Sequence, residues 1–582
     1  MARRRFIVTS GLPYSNGPLH VGHVAGAYLP ADTYVRYLRS RGEDVRFVCG
    51  SDDNGVASVI SSRKEGRSVE ELTAHYNARQ QADFAGLGIE FDIFGGTHQP
   101  GFVERHEQVS QEFFRKIYDK GYFTKKTTEQ LYDPVEQQFL PDRYVQGTCY
   151  HTRDDGSPCG YGEAYGDQCE QCGNTIDPML LSNPRSTISG ARPEPRSTTH
   201  WHLRLDQFEK PLREWLESKR QPAGDDPAWR ESVLNFVLGQ IRMGLPERAM
   251  TRDLHWGIPV PLEDPDAQGK VLYVWFDAPI GYVSFTATLS EQEDGDWRRY
   301  ERWWKDPDCR IVHFIGEDNT VFHALIWPAM LMAEGSYQLP RHVVASKFLN
   351  IKYPGQEEQK ISKSRGNAIW IKKYLETFDP DPLRYYLTAV APESQRTTFD
   401  MDDFIARNNG ELLNALGNFI NRALVFTQRY FDGVVPDVGE RSDVDREQLA
   451  LIARQTDRTA EHLEGFRFRA ALGEVMSLAR ASNGYFDAKR PWQQRKESLE
   501  SCGTTINVCV QTVRALAVLM APFLPHSAEK CAEMLRIGGG CPSWEDAKRE
   551  LDPGHALGKP VILFKKLEAA ELFAETKTPD GP

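Results

Sequence analysis

Two histidines three residues apart, His20 and His23 in His20-Val21-Gly22-His23, close a loop that reads Thr-Ser-Gly-Leu-Pro-Tyr-Ser-Asn-Gly-Pro-Leu-His-Val-Gly-His from Thr9. At the start of a helix, both rings can aim N–H donors at an anion that backbone N–H groups and the helix dipole already favour. Gly22 leaves space where a flat base could lie against the backbone. A second stretch, Lys360-Ile361-Ser362-Lys363-Ser364, runs on into Arg365-Gly366-Asn367. Compact ammonium groups in a Gly- and Ser-containing loop suit a mobile clamp on a departing polyphosphate. Taken singly, the first stretch also fits a plain βα turn and the second a solvated surface. Together they point to chemistry on nucleotide phosphates. A third polar loop, Gly50-Ser51-Asp52-Asp53-Asn54-Gly55, follows a strand-like run. The fourth signal is Cys169-Glu170-Gln171-Cys172-Gly173, half of a metal knuckle, with Cys149 and Cys159 before it.

These residues need elements to hold them. Phe6, Ile7 and Val8 form a short strand of a buried parallel sheet. Gly11, Pro13, Gly17 and Pro18 break the chain into a tight loop. Val24, Ala27, Tyr28, Ala31, Tyr34, Val35 and Leu38 then recur at helical spacing, with Pro30 predicting a kink or restart. A second strand over Val45 to Cys49 completes a βαβ unit, so the Asp52 loop lies at a strand's carboxyl end, where ligands of open α/β sheets gather. Helices are expected at Val69 to Leu87 and Phe102 to Lys120. From about Tyr122 to Pro246 the composition turns to Tyr, Gly, Pro and Cys without helical period, and Asn183 to Ser197 reads as a loop. Val271 to Phe276 and Ile311 to Ile315 read as strands, and Leu339 to Lys373 as short strands and turns. Amphipathic helices follow at Asn408 to Tyr430, Arg446 to Leu463, Ala470 to Phe486 and Thr504 to Met520; the tail after Thr576 reads as disordered.

At 582 residues the chain exceeds a single core. A net charge of −12 argues against a general DNA-coating protein, yet leaves room for RNA on a local basic face. Ten cysteines do not make a disulfide scaffold at this length. No uninterrupted apolar run approaches the roughly 20 residues of a bilayer span, and Met-Ala-Arg-Arg-Arg runs straight into a strand, so a cytoplasmic protein without membrane contact is expected.

The two phosphate motifs resemble the signatures of class I aminoacyl-tRNA synthetases, His-Ile-Gly-His and Lys-Met-Ser-Lys-Ser. The finer resemblance is to the methionyl members. It runs through Leu12 to Gly17, Leu131-Tyr132-Asp133, Phe139 to Tyr144, Trp275 to Tyr282 and His313 to Gly316. It implies an α/β, Rossmann-type catalytic domain split by a knuckle-containing insertion and followed by a C-terminal α-helical bundle domain. Its divisions are 1–121 and 247–338 for the catalytic halves, 122–246 for the insertion, 339–400 for a stem-contact domain, 401–575 for the anticodon-binding helices and 576–582 for the tail. The implied activity is methionine-tRNA ligase, with ATP, methionine and methionine tRNA (initiator and elongator) as partners and Mg²⁺ accompanying ATP. His20, His23, Lys360 and Lys363 are the implied catalytic residues. Asn16, Gly17, Gly22, Gly316, Asp318 and Ser362 are implied for ATP. Methionine falls to Leu12, Tyr14, Asp52, Trp275, Ala278, Pro279, Tyr282, Phe322 and His323. The anticodon falls to Asn414, Asn418, Arg422, Pro491 and Trp492, with Trp492 stacking on a base.

Departures from the family pattern are local. Asn54 stands where a His is usual, and Glu317 where a Lys is common before Asp318, so a ring and a cation are missing from their usual places. Cys149 and Cys159 are nine residues apart rather than two, read as an insertion between the first two ligands of a structural zinc site completed by Cys169 and Cys172; His151 can substitute for one thiolate, and a metal-free knuckle is the alternative. The synthetases for leucine, isoleucine and valine share both signatures but carry a larger editing insertion than 122–246 allows. A catalytically dead RNA-binding paralogue has no need of all four phosphate-facing residues. The chain's end without an appended dimerisation module predicts a monomer.

Overall fold

The structure is a computed structural model; residues 3–152, 156–166, 169, 171–172, 174, 176–361, 366–538 and 542–568 are described. Five strands, β1 (Arg5–Ser10), β2 (Asp44–Ser51), β3 (Ile93–Gly96), β4 (Cys309–Gly316) and β5 (His342–Ser346), form an all-parallel sheet in the order β5-β4-β1-β2-β3. Phe6, Ile7 and Val8 are buried because β1 is covered on both faces and flanked on both edges. From β1 the chain works outward through β2 and β3, then returns to β1's other edge with β4 and β5. That reversal opens a crevice at the carboxyl ends of β1 and β4.

The kink or restart expected at Pro30 is a local widening of a continuous helix. A helical turn at Val21–His23 passes through a wider π turn, Val24–Tyr28, into the helix Leu29–Ser40, with Pro30, which has no N–H to donate, just after the π turn. Two expectations of local structure are corrected. Val271 to Phe276 is not one strand: Val271–Leu272 pairs with Thr251–Arg252, and a helix runs from Val274 to Asp294. That helix is buried almost all round, so its apolar run carries no helical period to distinguish it from a strand. Asn183 to Ser197 is not a loop either, because Ser182–Ser186 and Glu194–Leu203 are strands. The latter pairs with Phe123–Asp133 from Phe123↔Leu203 to Tyr132↔Glu194. Its Pro195 is tolerated because the strand's other neighbour, Arg248–Ala249, reaches only Leu203 and His202. The Tyr122 to Pro246 stretch also contains two helices, Glu209–Glu217 and Glu231–Arg242, whose Leu212, Leu216, Leu234 and Val237 share an apolar core with Ile7 and Ile311 of the parallel sheet.

The C-terminal part is helical, with long helices at Asp443–Glu464, Phe468–Lys489 and Leu499–Met520. Among the described residues, Leu499–Met520 is the one helix long and apolar enough to cross a membrane, and its apolar window is wholly buried among its neighbours. Arg384, fully buried, ties the parts together: it donates to the carbonyls of Leu87, Pro522 and Phe523 and pairs with buried Asp32 at 2.6 Å.

Candidate active site

Residues distant in sequence meet at the crevice. The loop before His20 is pinned from two sides. Gln80 donates to the Tyr14 and Gly17 carbonyls, at 2.9 and 3.3 Å. Val21 N–H donates to Ile369 O and Ile371 N–H to Leu19 O, each at 3.1 Å, so the chain just beyond the second lysine stretch is stitched to the histidine loop. A cavity of about 320 Å³ lies between them, lined by Asn16, Gly17, His20, Gly22, His23, Gly316, Asp318 and Lys360 among others. Ser362 and Lys363 lie outside the described residues.

His20 and His23 cap their own helix reciprocally. Gly22 N–H donates to His20 Nδ1 at 3.1 Å, and His20 N–H donates to His23 Nδ1 at 3.2 Å. Because both Nδ1 atoms accept, the proton of each neutral ring belongs on Nε2, at the outer edge. The rings stack with centroids 3.7 Å apart. Gly22's missing side chain makes room for the His20 ring itself: a Cβ there would meet Cε1 at 3.0 Å and Nδ1 at 3.1 Å, so the space is taken by imidazole rather than left open for a base. Gly316 likewise admits the Asp318 carboxylate, which a Cβ would meet at 2.7 Å.

The second half of the site is an apolar wall beside a buried carboxyl group, Asp52. Trp275 lies flat on Phe322, centroids 3.8 Å apart, and edge-on to Tyr14 at 6.3 Å. Ala278, Pro279 and Tyr282 follow Trp275 on the same buried helix, and Pro279 has no N–H to give the Trp275 carbonyl. His323 donates from Nδ1 to Asn319 O at 3.2 Å, which leaves Nε2 to accept from the Tyr282 hydroxyl at 2.9 Å. Burial lowers its pKa to about 4, so the ring is neutral. Asp52 is held beside this wall by its backbone, with Asp52 N–H donating to Pro13 O and Ser15 N–H to Asp52 O. Its Oδ1 is buried without a partner. Burial, then the charges of Asp277 and Asp53, push its carboxyl well above the usual range. A cationic ligand would satisfy that oxygen. Tyr14 and Trp275 also border a larger cavity of about 780 Å³ that extends to Leu140, Asp142 and Met179.

Two side chains stand beside the positions that depart from the family pattern. Beside Asn54 is His98, whose Nδ1 lies 3.0 Å from Asn54 Oδ1 and whose face rests on Trp256 at 3.8 Å. Asn54 in turn donates to Asp277, which also takes His106 Nε2 at 3.3 Å. Beside Glu317 is Lys347, just past the end of β5, 3.0 Å from the Glu317 carboxylate and lining the 320 Å³ cavity. Neither was visible in the sequence; position at a parallel strand's carboxyl end was the only signal for Lys347.

Outside the crevice, Cys149, Cys159, Cys169 and Cys172 converge, with all four Sγ atoms within 4.8 Å of one another. The pairs Cys149–Cys172 and Cys159–Cys169 are 3.8 and 3.7 Å apart, close to the edge of about 3.8 Å of a tetrahedron with 2.3 Å metal–sulfur arms. Between the first two cysteines Thr152 is bridged antiparallel to Pro158, which brings Cys159 back to the cluster. His151 is not part of that cluster, and its backbone carbonyl accepts the Cys159 N–H. In the helical region, Asn414 and Asn418 are exposed and Arg422 is half-buried, across a π turn (Asn408–Gly417) that runs into the helix Asn418–Tyr430. Arg490 is left-handed at φ 48°, and Pro491 starts a new short helix that leaves Trp492 42% exposed. Phe486 links the two segments, with the Arg422 guanidinium 4.3 Å from its ring centre and Trp492 at 6.1 Å.

A profile described as "tRNA synthetases class I (M)" matches residues 6–424, and one described as "Anticodon binding domain of methionyl tRNA ligase" matches residues 435–577. The chain is 45% identical over 578 residues to a methionine–tRNA ligase of Bacteroides fragilis, covering 99% of this chain and 80% of the relative. The chain belongs to the methionyl-tRNA synthetase family. A methionine–tRNA ligase of Pyrococcus abyssi is also 45% identical, covering 97% of this chain and 76% of that one. The Mycobacterium tuberculosis methionyl-tRNA synthetase bound by methionyl-adenylate superposes with a TM-score of 0.77 at 26% identity, covering 97% of this chain and all of that one. The α/β catalytic part and helical C-terminal part described above are the fold of methionyl-tRNA synthetases.

Proposed function

We propose that this chain attaches methionine to methionine tRNA at the expense of ATP. The observation that carries the reading is a phosphate-facing cavity, lined by His20, His23 and Lys360, that reaches Tyr14 of an aromatic wall beside the buried Asp52, whose Oδ1 has no partner. A zwitterionic, apolar amino acid fits where cavity and wall meet: ammonium on Asp52, side chain against Trp275, Ala278, Pro279, Tyr282, Phe322 and His323, carboxylate toward the nucleotide. A thioether gains about 0.3–1.5 kcal/mol per aromatic edge.

In the first step the methionine carboxylate attacks the α-phosphorus of ATP, which enters as its magnesium complex, and the bond to pyrophosphate breaks. Such displacement asks for positioning and charge stabilisation rather than a covalent nucleophile. The Nε2–H groups of His20 and His23 stabilise the transferring phosphate, Asp318 accepts a ribose hydroxyl, and Lys360 with Lys363 follows the departing charge. In the second step the terminal ribose hydroxyl of the tRNA attacks the adenylate carbonyl and AMP leaves. The 780 Å³ cavity shares Tyr14 and Trp275 with the methionine wall and is the approach we assign to that tRNA end. Asn414, Asn418, Arg422, Pro491 and Trp492 form the anticodon surface, since unpaired bases are read by stacking and by edge hydrogen bonds. The four cysteines fit a structural zinc ion, which would cross-link the Cys149 and Cys159 segment to that of Cys169 and Cys172. Amino-acid-dependent ATP–pyrophosphate exchange across all twenty amino acids tests the whole reading. Methionine is expected to give the highest kcat/KM; faster exchange with another amino acid, or none with any, refutes it.

A further inference from the structure

Asp318 is the one carboxylate among the described residues that line the 320 Å³ cavity, although Glu317 precedes it at the same strand end. The structure shows where Glu317 has gone. Its Oε2 lies 3.0 Å from Lys347 Nζ. Its Oε1 accepts the Phe348 N–H at 3.3 Å and lies 3.6 Å from Arg396 Nε. Lys347 and Phe348 themselves line the cavity, so the restraint acts from its wall. Lys347 is fixed in turn by its backbone N–H, which donates to Pro392 O at 2.7 Å. Burial raises the Asp318 carboxyl above its ordinary range, and the neighbouring Glu317 charge adds to that rise. Unpaired, it would stand beside a site that has to admit a polyanion, and like charges brought together weaken binding steeply.

We infer that Lys347 is a positioning residue for ATP: it holds Glu317 off the nucleotide cavity and cancels its charge, leaving Asp318 alone to face the ribose. The lysine acts through the glutamate. This rests on the assignment of that cavity to ATP. The arrangement predicts a non-additive pair of substitutions, which a lysine bonded directly to the phosphates does not produce.

The test is the full-length protein carrying Lys347→Met, Glu317→Gln, or both, in methionine-dependent ATP–pyrophosphate exchange. K347M is expected to raise KM for ATP about tenfold or more, with KM for methionine within about twofold. The double variant is expected to return KM for ATP to within about threefold of the parent, although it still lacks the lysine. E317Q alone keeps KM for ATP at or below the parent value, and covers the case in which K347M fails to fold. The inference is overturned if K347M leaves KM for ATP unchanged, if the double variant is as impaired as K347M, or if E317Q raises KM for ATP. Calorimetric titration with ATP alone makes the same comparison without an amino acid, so a wrong amino-acid assignment and a wrong role for Lys347 give different results.

Discussion

Replacing Asp52 by Asn should move ligand affinity and protein stability in opposite directions. The carboxylate is buried and accepts the Asn54 backbone N–H, while Oδ1 has no partner. Its neighbours Asp277 and Asp53 are themselves buried acids. In the free protein, its ionised form therefore opposes folding. Its pKa is raised on folding, so its favourable contribution is present below the unfolded carboxylate range and lost as pH rises. Asn removes that penalty and sets an amide N–H₂ toward the neighbouring acids, so unliganded D52N should gain about 1–3 kcal/mol of stability, the usual cost of one unsatisfied buried group. Methionine binding should suffer, because its ammonium loses the partner it was to neutralise. Removing one member of a buried, hydrogen-bonded charge pair costs about 2–5 kcal/mol, or about 30- to several-thousandfold in Kd. Affinity of the parent should rise with pH as the proton is driven off Asp52, whereas that of D52N should stay flat. Trp275 in the pocket provides a fluorescence signal for the titration, and thermal melting of the unliganded proteins provides the stability comparison. Methionine affinity in D52N within about threefold of the parent, or a lower melting temperature without ligand, would refute the assignment.

Trp492→Ala should lower tRNA charging by about one to two orders of magnitude, since stacking is worth about 1–3 kcal/mol per base, while pyrophosphate exchange without tRNA holds; a parallel fall in both would make Trp492 a packing residue. One zinc per chain is expected by elemental analysis of protein purified without chelator, and Cys159→Ser should lose it; metal-free parent protein would remove zinc from the account. His323, with its pKa lowered from 6.5 to about 4, contributes stability that is full above pH 6.5 and lost as pH falls toward 4, by up to about 3 kcal/mol. His323→Gln should flatten that acid limb in thermal melts; an unchanged limb would place the effect on other groups such as His313, which burial also lowers.

Much of the chemistry was legible before any fold, because short-range order carries it. His-x-Gly-His after an apolar triplet, a double-lysine loop and a Cys-x-x-Cys are local patterns, and backbone rules place the first at the mouth of a strand-to-helix turn. The long C-terminal helices were equally visible, since 3.6-residue periodicity is a property of neighbours in sequence. What the sequence alone could not determine is decided by contacts across the chain. The Val274–Asp294 helix is apolar on every face because it is enclosed, so no period marks it as helical. Glu194–Leu203 is a strand because Phe123–Asp133 pairs with it, in spite of its own Arg, Ser and Pro. The same holds at the site. Asn54 and Glu317 read as departures from the family pattern position by position, and only the fold sets the His98 imidazole beside the first and the Lys347 ammonium beside the second. Charge and ring can arrive from any strand end that the sheet order brings to the crevice, and that order is a property of the folded chain alone.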